Sequence, residues 1–182
     1  MKRTAICVLL GAAAVGMAGP ARAQQTKKPT TLRGVLLAEL KSTHNSEEWF
    51  VPANIAVKGL TPEQAAWRDG KGNHSVGQLA YHLWFWDRRS LTGLKGEKPE
   101  KFDGNNDETF DKFDPAHWDE TVRNMDEVMT EIEKWVETAD DAKIAQNAQL
   151  LTHISTHNAY HIGEMILVRK EQGVWNPANG VK

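Results

Sequence analysis

Apolar residues recur along this chain at helical spacing, and polar punctuation divides them into segments. Residues 32–49 carry apolar positions at 32, 35, 36, 37 and 40, with Ala, Glu and Lys between them, which predicts a first helix. Thr61-Pro62-Glu63-Gln64 is a capping box with proline at the first helical position, and it predicts a short helix to about 67. Asp69-Gly70-Lys71-Gly72 reads as a turn. Ser75-Val76-Gly77-Gln78 is a second capping box and opens a helix to about 94. Residues 95–113 are charged and contain glycine, and they read as a long surface loop. Asp114-Pro115 starts a third long helix, to about 137. Asp140-Asp141 leads into the last one, which ends at Gly173, a candidate C-cap. There is almost no alternating pattern of the kind strands require. The expected fold class is all-α, a four-helix bundle with one long crossover loop.

The N-terminus has a different pattern. Met1-Lys2-Arg3 is followed by an apolar run over about 5–18 and then by Pro20-Ala21-Arg22-Ala23-Gln24. A basic start, a short apolar run and an Ala-x-Ala site form a secretory signal peptide, with cleavage expected after Ala23. The run is shorter than the ~20 residues a membrane span needs. The chain therefore divides into a signal peptide (1–23), a polar leader (24–31), a helical bundle (32–175) and a tail (176–182). The expectation is a periplasmic or secreted protein with no stable membrane insertion after cleavage.

Charge and cysteine content narrow the function. The whole chain of 182 residues has a formal charge of −2, and loss of Lys2, Arg3 and Arg22 with the signal peptide makes it −5. That balance argues against nucleic acid as a partner, which calls for a basic surface. The single cysteine, Cys7, lies in the signal peptide. A disulfide scaffold, a CxxC redox pair, a cysteine-rich zinc site and a CxxCH haem site are thereby excluded. Stability must come from the core or from a metal.

The candidate chemistry lies in the last helix. His153, His157 and His161 recur every fourth residue and fall within ~80° of one another on one face at 100° per residue; Tyr160 and Glu164 share the stripe. An i, i+4 histidine pair can hold one metal ion, although hydrogen-bonded or solvated histidines give the same spacing. Leu150, Leu151, Ile154, Ile162 and Met165 surround the pair, so one face is buried, and a buried histidine must be neutral and paired or metal-bound. A third ligand is needed. His82, within the aromatic run Tyr81-His82-Leu83-Trp84-Phe85-Trp86, is a candidate, with a hydrogen-bonded core histidine as the alternative. Position 158 is Asn, so the HExxH protease pattern is absent, and the chain has no ExxH and no GxSxG. His44 is a candidate for a pocket mouth. His74 and His117 read as surface residues, and Trp84, Trp86 and Trp135 as core.

The segments GLTPEQAAWRDGKGNHSVGQLAYHLWFWD and HISTHNAYHIGEMILVRKEQG resemble the DinB-like superfamily, and the resemblance extends over roughly residues 32–175. It implies a four-helix bundle that holds a divalent metal through three histidines, here His82, His157 and His161. It also implies a possible homodimer and either hydrolysis or thiol-dependent transfer. The family usually has Gln where this chain has Glu164. A carboxylate there can orient an imidazole, act as a base or add a ligand, which makes Glu164 the candidate catalytic residue. His153, one turn before the pair, is expected behind the ligands or in the pocket lining rather than on the metal. All-nitrogen ligands suit several metals, with zinc or nickel the expectation. Small thiol cofactors are chiefly cytosolic, so export favours metal-dependent hydrolysis of a small-molecule substrate. The alternatives are an exported metal- or ligand-binding bundle without catalysis, a thiol-dependent transferase, and a structural bundle whose histidines are satisfied by hydrogen bonds.

Overall fold

The computed structural model describes residues 29–180. The expected signal peptide and its cleavage site lie outside these residues. The helices are α1 (Leu32–His44), α2 (Ala53–Val57), α3 (Pro62–Ala66), α4 (Val76–Leu94), α5 (Glu108–Asp111), α6 (Trp118–Thr138) and α7 (Asp141–Gln172). Two 3-10 turns, Pro115–His117 and Pro177–Asn179, complete the secondary structure, and there is no strand among the described residues. Helices α1, α4, α6 and α7 form the bundle. Each of α1 and α4 packs against both α6 and α7, so α1 and α4 face one another across the diagonal.

The polar punctuation works as the sequence suggests. In both capping boxes the Thr61 and Ser75 hydroxyls accept from the Gln64 and Gln78 amides, and each glutamine side chain returns the bond. Asp140 caps α7 by accepting from the Lys143 amide. Gly173 closes it at φ +78°, a left-handed conformation that glycine adopts without Cβ strain. At 32 residues, α7 is about 48 Å long and runs the length of the bundle.

Two of the expected elements change, and one helix is added. Helix α1 stops at His44 rather than near 49. Asn45 and Ser46 bond one another there, and both of their amides turn back to the Lys41 carbonyl; such local polar contacts compete with helix continuation. Helix α2 carries no strong sequence signal. It is held from a distance by Arg169 of α7, whose guanidinium donates to the carbonyls of Ile55 and Ala56. The crossover segment 95–113 is not wholly a surface loop, because α5 turns inward and buries Thr109 and Phe110. Arg89 lies over the rings of Phe85, Trp86 and Phe102 and ties the segment to α4. Gly77 leaves room for the ring of Phe113, which any Cβ at that position would overlap.

The core runs through the bundle as Leu79, Leu83, Met125, Ile132, Leu151 and Ile162, all but inaccessible to solvent. The buried tryptophans are Trp118 and Trp175, whereas Trp84, Trp86 and Trp135 are only partly buried. Arg33 donates to the carbonyls of Val136 and Ala139 and to Asp141, fixing the start of α1 to the α6–α7 corner.

Candidate metal centre

Two helices and the crossover segment meet around the histidines. His82 lies about two turns into α4, and His157 and His161 occupy successive turns of α7. His157 Nε2 is 3.2 Å from His82 Nε2 and 3.1 Å from His161 Nε2. The potential ligand atoms of the three residues all lie within 4.8 Å of one another.

The other ring nitrogens decide the tautomers. Thr109 Oγ1 lies 2.5 Å from His82 Nδ1 and 2.6 Å from the Asn106 carbonyl oxygen. A hydroxyl has one proton, and a carbonyl can only accept. Thr109 therefore donates to Asn106 and accepts from His82 Nδ1–H, which leaves the Nε2 lone pair of His82 directed at the cluster. Glu164 Oε2 lies 2.6 Å from His161 Nδ1 and fixes that ring in the same sense. A carboxylate or other acceptor behind the ring is how metal-ligating histidines are oriented. The donor set fits a divalent ion: the Nε2 atoms of His82 and His161 lie 3.2 and 3.1 Å from that of His157, close to the ~3.3 Å edge expected for ligands ~2.05 Å from a tetrahedral metal, and all three lie within 4.8 Å of one another.

Aromatic rings shield one side. The ring of Phe110 stacks between His74 and His82, with centroids 3.8 and 3.9 Å away. His82 and His161 are buried, while His157 is only partly so, leaving the cluster approachable past that ring. Burial, then the neighbouring His161 and His157, pushes the His82 imidazole down to about 3. Burial and His161 push His157 down to about 4. His161 is lowered as well, by burial, against the opposing pull of Glu164. Neutral imidazoles are the form a metal needs.

Other expected residues fall elsewhere. His153 is exposed and does not join the cluster; over two turns its position drifts off the buried stripe. His74 is not a surface residue, since Phe110 covers its ring. His117 is exposed and bonds Asp114. His44 is buried between Glu133 and Asp126, at 2.6 and 2.8 Å, and lines a cavity to which none of the three clustered histidines contributes. Tyr160 is exposed and packs edge-on against His161. Of the three roles open to Glu164, its bond to Nδ1, on the far side of the ring from Nε2, supports orientation of His161. Sequence reasoning missed Thr109 and Phe110, because nothing in a charged, glycine-containing segment marks the one turn that folds inward.

The family model of the DinB superfamily matches residues 53–165. The chain belongs to that superfamily, and the matched stretch contains all three clustered histidines and Glu164. No curated protein and no solved structure matches the chain.

Proposed function

We propose that this protein is an exported, divalent-metal-dependent hydrolase of a small-molecule ester or amide, with zinc or nickel held by His82, His157 and His161. The observation that carries this reading is the convergence of three Nε2 atoms, two of them presented as lone pairs by the bonds behind their rings. A divalent ion held there by His82, His157 and His161 would supply Lewis acidity for hydrolysis. Thr109 and Glu164 hold two rings in the ligating tautomer and orientation. Phe110 excludes water from one side, and the partial exposure of His157 gives a substrate its approach. That opening favours catalysis over a closed structural site, in which protein atoms fill every position.

The test is turnover of an ester and amide panel by tag-free protein, with and without chelator and metal re-addition. Metal-dependent turnover that His157→Ala abolishes, with helicity retained, supports the hydrolase. Stoichiometric metal without turnover on any substrate favours instead a metal-binding bundle.

A further inference from the structure

A polar pair lies in the bundle core beside the histidine cluster. Asp87 follows His82 along α4, and Asn158 directly follows His157 on α7. Each is 1% exposed, and Asn158 Nδ2 donates to Asp87 Oδ2 at 3.0 Å. Leu40, Met129, Ile132 and Ile154 close around the pair, where α1, α4, α6 and α7 meet. Neither residue belongs to the group of potential metal ligands.

The pair is a poor way to stabilise a core. No Lys, Arg or His lies within ion-pair distance of Asp87 among the described residues. Burial pushes its carboxyl up to about 7, against the opposing pulls of Asn158 and His44. Asn158 Oδ1 is buried with no hydrogen-bond partner, which costs stability. Well-packed apolar side chains of similar volume are often as stable in such a place, or more so. What they lack is direction. A leucine pair can pack at several registers of one helix along the other, whereas a buried donor and acceptor meet at one.

Register matters here because the two helices share the ligands. His82 stands on α4, and His157 and His161 stand on α7. Asp87 lies about 7.5 Å along α4 from His82, at 1.5 Å per residue. Asn158 is one residue from His157 and three from His161. Resting on the reading of these histidines as a metal centre, we infer that the Asp87–Asn158 bond is its positioning device: it fixes α4 against α7 so that His82 Nε2 meets those of His157 and His161.

Zinc affinity of the tag-free protein, by competition against a chromophoric chelator, tests this beside urea unfolding of the metal-free form. The visible spectrum of the cobalt-loaded protein reports ligand geometry. Asp87→Leu/Asn158→Leu should unfold at no lower urea concentration than the wild type, yet bind zinc at least about tenfold more weakly and shift the cobalt spectrum. Asp87→Asn keeps an oxygen that accepts from Asn158 and should retain the affinity. If the leucine pair does not fold, Asn158→Ala takes its place beside Ile154→Ala, which opens the same part of the core but keeps the bond; only Asn158→Ala should weaken zinc binding. Wild-type affinity and spectrum in the leucine pair or in Asn158→Ala overturn the positioning role alone. So does an equal loss in Asp87→Asn or in Ile154→Ala. A wild-type protein that binds neither zinc nor cobalt overturns it together with the metal centre.

Discussion

Thr109 accepts the Nδ1 proton of His82 at 2.5 Å because its own proton is committed to the carbonyl of Asn106. The crossover segment thus sets the tautomer of a residue on α4, and with it the direction of a lone pair. Thr109→Val keeps the shape and removes the acceptor. Metal affinity is expected to fall by about 10–100-fold, the usual effect of losing such a partner, while Thr109→Ser retains most of it. Competition against a chromophoric chelator measures both.

Glu164 plays the corresponding part behind His161. Glu164→Gln leaves an oxygen that can still accept from Nδ1–H but removes the charge, so a modest loss of affinity is expected. Glu164→Ala removes the acceptor and should cost more. Equal losses for the two variants would show that charge alone matters.

Acid should destabilise the metal-free protein through the same rings. His82 and His157 are lowered to about 3 and about 4 in the fold, from an ordinary value of 6.5. Between those values the unfolded chain binds more protons at these two positions, so their contribution to stability is full above about pH 6.5 and is lost as pH drops toward 4. The slope reaches about 1.4 kcal/mol per pH unit for each group. His44 has the opposite sign. Burial opposes its charge, but Glu133 and Asp126 together raise it, so its contribution is complete below 6.5 and is lost as pH rises through its folded value. Urea unfolding from pH 4 to 8 checks this: His82→Phe should flatten the acid limb, and His44→Gln should not.

Gly77→Ala tests how the crossover segment docks. Its Cβ would overlap the Phe113 ring, and such overpacking typically costs about 1–3 kcal/mol. Adding Phe113→Leu should restore part of that stability, as read from thermal unfolding.

The bundle was legible because its signals are local. Thr61, Ser75, Asp140 and Gly173 act within a few residues of themselves, and each marks the helix boundary that the structure has. The i, i+4 spacing likewise brings His157 beside His161 whatever the rest of the chain does. Long-range causes were not legible. Arg169 holds α2 across more than a hundred residues, and α5 folds inward because Phe110 finds His74 and His82. His153 shows the limit of a stripe drawn on a wheel. It shares a face with His161 in angle, yet two turns carry it out to solvent.

The most direct measurement is elemental analysis of the tag-free protein beside a His82→Ala/His157→Ala double variant. About one equivalent of metal per chain is expected in the wild type and none in the variant. A wild-type protein that holds no metal after incubation with zinc and nickel, or a variant that holds as much, would contradict a centre built on these three histidines.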